Sequence, residues 1–270
     1  MKINQVNHGF IKPVEKPEDY IFLGVSKSPY IVLQENGQWT DLPKNEEQAK
    51  RGFDSNSCTS FGSLNLLEIL IKKIFGREEN FSERFSAIVG GQERNGADPF
   101  KILDGIRKSG VVVEDALPFD ENIETWEQYF QPNPMTDNLI ALGSEFVRKY
   151  QLNYERLKPA TPETMMEALK YSPLGCAVFA WAQNEEGLYH RPQGLPDTHW
   201  TIIIGYVRNK YWVCFDSYMD GDGDMIKHLD WNFGFEWVAR LSLVKKIEEP
   251  IKHKNWFIEI ILNLLRLFKW

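Results

Sequence analysis

The stretch Asp54-Ser-Asn-Ser-Cys58-Thr-Ser-Phe-Gly-Ser-Leu constrains this chain most, because a polar turn gives way there to a long run with helical apolar spacing. Phe61, Leu64, Leu67, Ile71 and Ile74 recur at intervals of three and four, which lines them on one helix face. Ser55, Asn56 and Ser57 are all competent caps. The spacing therefore predicts a helix that begins within a residue or two of Cys58 and stops at Gly76. A cysteine at such a point has two readings. It is a small residue opening a buried helix, or a nucleophile whose thiolate is favoured by the helix N-terminus and a nearby imidazolium, with a lowered pKa.

Around that helix the two halves of the chain differ in character. "DPFKILDGIRKSG" and "TPETMMEALKYS" carry helical spacing, the latter with Pro162 at its start, and "GVVVEDALPF" between them reads as extended. From Pro173 onward "PLGCAVFAW", "HWTIIIGYV", "KYWVCFDSY" and "WVARLSLV" are short β-branched and aromatic runs divided by turn residues. A mostly helical half followed by a mostly strand half predicts an α+β architecture. Residues 1–45 form a Pro- and Lys-rich N-terminal extension with strand-like "YIFLGV" and "YIVLQ", expected to drape over the domain at 46–249. Residues 250–270 are set off by Pro250.

Composition excludes several functions. The formal charge is −7, and Lys and Arg are spread among the acids, so no basic stripe offers itself to nucleic acid. The N-terminus is polar and lacks the apolar core of a secretory signal, and no stretch reaches the ~20 uninterrupted apolar residues of a membrane span. Cys58, Cys176 and Cys214 are the only cysteines, an odd number that fits a reducing compartment, and Cys176 and Cys214 lie in strand-like runs as small core residues. Neither zinc spacing nor calcium register is present: in the acidic turn holding Asp220, Asp222 and Asp224, Met225 takes the calcium loop's Gly position and Trp231 that of its bidentate Glu. No metal and no cofactor are expected.

The candidate chemistry lies in three residues. His199 opens the strand-like run "HWTIIIGYV" after the loop "GLPDT", at a strand edge where a ring can face a cleft. After the turn at Asn209, "VCFDSY" brings Asp216 to the end of an adjoining antiparallel strand, where its carboxylate can fix the tautomer and orientation of the imidazole.

With Cys58, His199 and Asp216 in that order, the chain resembles the papain-like (C1) cysteine peptidases from about Trp39 to Lys245. "SNSCTSFGSLN" is similar to the segment that delivers the family nucleophile onto its central helix. "FSERF", "RNGADPF" and "SGVVVEDALPF" follow the family's order. "SPLGCAVFAW", "HWTIIIGYVRNKYWVCFDSY" and "LDWNFGFEWVARL" resemble its cleft strand, its His strand with the Asn-Ser-Trp end, and its closing strand. The interval from Cys58 to His199 lies within the family's ~130 to 150 residues. The resemblance implies a two-lobed fold and a cysteine-type endopeptidase acting on peptide or protein substrates. Cys58 would be the nucleophile, His199 the general acid and base, and Asp216 the residue that orients His199. Asn95, Gly96, Asp197 and Thr198 would border the substrate pocket. A Cys-His-Asp acyltransferase or peptidoglycan amidase, or a papain-like binding module, is the alternative reading.

Several positions depart from the family pattern. Thr59 follows the nucleophile where Trp is usual, Ser55 replaces a disulfide cysteine, Asp216 replaces Asn, and Tyr218 replaces a shielding Trp. This implies a disulfide-free branch of bacterial or phage type, cytoplasmic or virion-associated. The oxyanion-hole Gln, normally six residues before the cysteine, is missing because position 52 is Gly. Gln48 fills the role if the turn carries an insertion, and Asn56 is the other side-chain donor. Beyond Pro250, apolar residues from Trp256 to Trp270 leave a narrow stripe of Asn255, Glu259, Asn263, Arg266 and Lys269. The tail at 250–270 is expected to be an amphipathic helix lying on a membrane surface or a protein partner.

Overall fold

The computed structural model describes residues 6–16, 21, 38–44, 46–50, 52–130, 134–219 and 223–246. The strand-like runs at 20–25 and 30–34 (save Ile21), the tail at 250–270, and Asp220 and Asp222 lie outside the described residues.

A small hairpin of β1 (Ala49–Lys50) and β2 (Phe53–Asp54) leads into helix α1 (Cys58–Phe75). The helix starts and stops where its sequence predicts. Ser57 is the N-cap, and Gly76 closes it in the left-handed conformation at φ 65° with its N–H on the Lys72 carbonyl. The apolar spacing predicts one buried face, but every residue from Cys58 to Ile71 is buried. The reason is two-sided packing: α2 (Glu83–Val89) and α3 (Pro99–Ser109) cover one side, and the strand half covers the other. Small residues keep that approach close. A Cβ on Gly62 would meet the Trp200 ring at 2.8 Å, and one on Gly175 would meet it at 2.4 Å.

The chain continues through a single 3₁₀ turn (Glu114–Ala116), α4 (Trp126–Phe130), α5 (Asp137–Lys149), β3 (Tyr150–Arg156) and α6 (Pro162–Ala168). Then come β4 (Leu174–Val178), β5 (His199–Val207), β6 (Tyr211–Phe215), β7 (Ile226–Asp230) and β8 (Val238–Lys245). Six strands form one antiparallel sheet in the order β3-β8-β4-β5-β6-β7. The α+β expectation holds, with a helical lobe around α1 facing a strand lobe. The stretch 111–119 is less extended than its sequence suggests. Glu114 accepts the Phe119 N–H at 2.7 Å and curls the chain into the 3₁₀ turn.

Four carboxyls meet in the helical lobe. Glu46 comes from the segment before β1, Glu68 from α1, Glu83 from α2 and Glu114 from the 3₁₀ turn. Burial, reinforced by repulsion from the other carboxyls, raises Glu46, Glu68 and Glu83 well above the ordinary carboxyl range, and burial with repulsion from Asp115 raises Glu114 as well. A carboxyl raised on folding holds a proton that the unfolded chain has lost above about pH 4.5, so stability falls as pH rises through that range. We expect a higher thermal midpoint at pH 5 than at pH 8, with the difference narrowed by Glu83→Gln. Equal midpoints for the unaltered chain at the two pH values would contradict this.

Candidate active site

The turn before α1 is shaped by side chains. Asp54 accepts the Asn56 N–H at 2.8 Å, and Asn56 takes the left-handed φ of 48°. Gln92, on the loop after α2, donates from Nε2 to the carbonyls of Ser55 and Asn56 at 3.1 and 3.2 Å and to the Ser57 hydroxyl at 2.8 Å. The Ser57 carbonyl accepts the N–H groups of Ser60 and Phe61, which leaves the N–H groups of Cys58 and Thr59 outside the helical ladder. The Cys58 thiol sits at zero exposure on this helix start. Burial pushes it well above the ordinary thiol range, and Asp54 and Asp216 add to that push. Backbone hydrogen bonds from Trp200 and Thr59 pull it the other way. The lowered pKa expected from the helix N-terminus is therefore outweighed in this covered state by loss of water. Cys176 and Cys214 are buried too, and burial likewise raises their thiols.

His199 is the first residue of β5, and Asp216 directly follows β6, its hydrogen-bonded neighbour. The Ile202–Phe215 pairing places the carboxylate beside the ring, with His199 Nε2 2.5 Å from Asp216 Oδ1 and both side chains at zero exposure. His199 Nδ1 is buried and has no hydrogen-bond partner. The ring is boxed in by Trp181, Tyr218 and His8 at centroid distances of 5.6, 5.3 and 5.9 Å. Burial alone would raise the Asp216 carboxyl, but His199 and the Lys227 ammonium outweigh it and hold it at about 2. Its contribution to stability is present above the ordinary carboxyl range and is lost as pH falls toward that value.

Of the two side-chain donors weighed from the sequence, Gln48 lies in this cluster and Asn56 is turned away. Asn56 Nδ2 donates to the Arg94 carbonyl at 3.2 Å. Gln48 is held by Ser217, whose hydroxyl donates to Gln48 Oε1 at 2.7 Å and whose carbonyl accepts the Gln48 N–H at 3.1 Å. Its Nε2 reaches the Tyr218 hydroxyl at 2.6 Å, Asp54 at 3.0 Å and the His8 carbonyl at 3.2 Å. The β1–β2 hairpin lies between Gln48 and Cys58, and Tyr218 completes the cluster by donating to Asp54 Oδ2.

Residues 7–11 cross between the lobes as a strap. The His8 N–H donates to the Thr198 carbonyl at 2.9 Å, and Asn7 Nδ2 donates to the Asn95 carbonyl at 3.0 Å. Phe10 makes a parallel bridge to Ala97, with Ala97 N–H on the Gly9 carbonyl at 2.9 Å and Ile11 N–H on the Ala97 carbonyl at 3.0 Å. The Phe10 ring is buried and stacked over Trp200. Further along, Glu15 pairs with Arg156 at 3.0 Å and Lys158 at 2.7 Å. Asn95, Gly96 and Thr198 thus contact the chain's own N-terminal segment, at Asn7, Gly9 and His8 in turn. Asp197 is turned aside to Arg191 at 2.6 Å. Burial raises its carboxyl to about 6 despite that partner. His8, Gly9, Phe10, Ala97, Gln92 and Lys227 were not singled out from the sequence.

Among the described residues, no group of three or more His, Cys, Asp or Glu side chains is placed to hold a metal ion. No family model matches the sequence, and no curated protein matches it. Solved structures do match. Procathepsin L 3 from the midgut of Tenebrio molitor larvae aligns with TM-score 0.58 at 16% identity over 88% of this chain and 77% of its own. Xylellain, a cysteine protease from Xylella fastidiosa, aligns with TM-score 0.57 at 16% identity over 90% and 97%. The bromelain protease of Ananas comosus, solved with the E64 inhibitor, aligns with TM-score 0.51 at 18% identity over 76% and 94%. The fold is that of the papain-like cysteine proteases.

Gly9 makes the strap testable. Its φ is 108°, and a Cβ there would lie 1.9 Å from the Asn56 carbonyl oxygen, a backbone atom that cannot step aside. Gly9→Val should expel the strap and raise the rate of Cys58 alkylation by iodoacetamide about tenfold or more, a free-energy change of ~1.4 kcal/mol. An unchanged rate would show that the strap does not control access to the thiol.

Proposed function

We propose that this chain is a thiol peptidase that cleaves peptide bonds through an acyl-enzyme on Cys58, and that the strap holds it latent. The observation that supports this best is the state of His199. One ring nitrogen is tied to a buried carboxylate at 2.5 Å, while the other has no hydrogen-bond partner, and the backbone of the next residue, Trp200, hydrogen-bonds the Cys58 thiol at the helix start. That is the arrangement a general base needs, since the carboxylate fixes the tautomer and leaves Nδ1 to take and return a proton.

In this reading a substrate replaces the strap in the channel between Asn95–Ala97 and Thr198. His199 Nδ1 takes the thiol proton, and Cys58 Sγ attacks the carbonyl carbon. The negative charge that develops on oxygen is met by Gln48 Nε2 and the Cys58 N–H. Gln48 already donates to a peptide carbonyl, that of His8, at 3.2 Å. His199 then gives its proton to the leaving amine, and water activated by the same nitrogen releases the acid. The strap carbonyl thus rests where a substrate carbonyl would be polarised. Withdrawing the strap also returns water to the cleft and removes the main cause that raises the thiol.

Cleavage of a fluorogenic peptide by the Gly9→Val chain tests the assignment. Cys58→Ser should abolish turnover. Gln48→Ala should cost about 10²-fold in kcat while leaving alkylation of Cys58 nearly unchanged, because the donor acts on charge formed only in the transition state. Asn56→Ala should leave kcat within about threefold of the parent, since its side chain faces Arg94 instead. A large loss from Asn56→Ala with none from Gln48→Ala would reverse the assignment of the oxyanion donor.

A further inference from the structure

Lys227 is a lysine in an unusual place. It sits on β7 opposite Cys214 of β6, with its side chain pointing inward at 2% exposure. Its ammonium lies 3.0 Å from Asp216 Oδ2, the oxygen that His199 does not use, and donates to the Tyr218 carbonyl at 2.5 Å. The Trp181 ring covers it, with the nitrogen 5.5 Å from the ring centroid. A lysine this deep is rare unless paired, and here its charged partner is Asp216.

The pairing answers a problem that the sequence poses. An aspartate where an amide suffices puts a full negative charge beside the place where Cys58 must itself become negative. Asp216 is indeed among the groups that raise the Cys58 thiol. An ammonium on the far oxygen removes that charge from the sum without disturbing the oxygen that holds His199. We propose that Lys227 is a positioning residue that neutralises Asp216, so that Asp216 and Lys227 together present His199 and Cys58 with the overall charge of a neutral acceptor. This rests on the reading of Cys58 as the nucleophile. The charged and titratable groups facing the pair are His199 and Tyr218 from the strand lobe and the buried Cys214 thiol. Those facing Cys58 are Asp54 and Asp216, and His8 of the strap abuts His199.

The test is the pH midpoint of Cys58 alkylation by iodoacetamide, read by mass mapping in full-length chains that all carry Gly9→Val. Charge arithmetic sets the order. Lys227→Met leaves an uncompensated carboxylate and should raise the midpoint by ~0.5 to 1 pH unit. Asp216→Asn leaves an uncompensated ammonium and should lower it by a similar amount. Asp216→Asn with Lys227→Met should return to within ~0.3 of the parent. A merely structural lysine would shift stability without this order and without rescue in the double variant. If Lys227→Met does not fold, the midpoint of Asp216→Asn must still lie below that of the double variant. An unchanged midpoint in Lys227→Met, or a double variant that departs from the parent as far as either single one, overturns the proposal and leaves Cys58 as the nucleophile. A parent chain that shows no labelling of Cys58 at any pH overturns the nucleophile reading and this proposal with it.

Discussion

The contact on which the site depends is the 2.5 Å pairing of His199 with Asp216, made at zero exposure between the start of β5 and the end of β6. An ionised carboxylate is not tolerated there unless it is partnered on both oxygens, and its two partners come from adjoining strands. β5 supplies the imidazole and β7 the ammonium, so three neighbouring strands must be in register for the charge to be buried at all. The rest of the strand lobe secures that register. β4 buries every residue beside β5, and Trp200, next to His199, locks β5 onto α1 through the glycines at 62 and 175. The same lock brings the Trp200 N–H to the Cys58 thiol. The helix start and the His–Asp pair are thereby fixed relative to each other by packed backbone.

Against that fixed centre lies the strap of residues 7–11. It contributes a carbonyl to Gln48, the His8 ring in a T-shaped contact with His199, and Phe10 stacked on Trp200. None of these contacts is strong alone. Under the proposed function, one segment occupies the place of a substrate and helps keep the thiol buried, the condition that raises it.

The centre of the site was legible in the sequence, and its surroundings were less so. Polar residues ending at Cys58, followed by regular apolar spacing, fixed the start of α1. The runs that became β4, β5, β6 and β8 carried enough β-branched and aromatic residues to be read directly. Three helices, α2, α4 and α5, and four strands, β1, β2, β3 and β7, were missed. In α5 the Thr136 cap was visible, since its side chain accepts the Leu139 N–H, but Gly143 interrupts the apolar face while Ile140 and Leu142 are exposed, which blurs the pattern. β7 was hidden because its inward residues are Lys227 and Leu229, and a buried lysine reads as solvent-facing. Sequence alone does not separate Gln48 from Asn56, because their side-chain placement depends on contacts with Tyr218, Ser217 and Arg94, which are distant in the chain. The strap depends on Gly9 meeting Asn56 and Gly96, a fit between distant segments that no local pattern announces.

The central claim is that Cys58 becomes acylated and that His199 drives the step. Intact-mass spectrometry of the Gly9→Val chain, acid-quenched within seconds of mixing with a peptidyl p-nitrophenyl ester, reads the intermediate directly. The account predicts a mass increase of one acyl group, mapped by digestion to Cys58, absent in Cys58→Ala and strongly slowed in His199→Ala. An acyl group mapped to another residue, or acylation of Cys58 at an unchanged rate without His199, would contradict it.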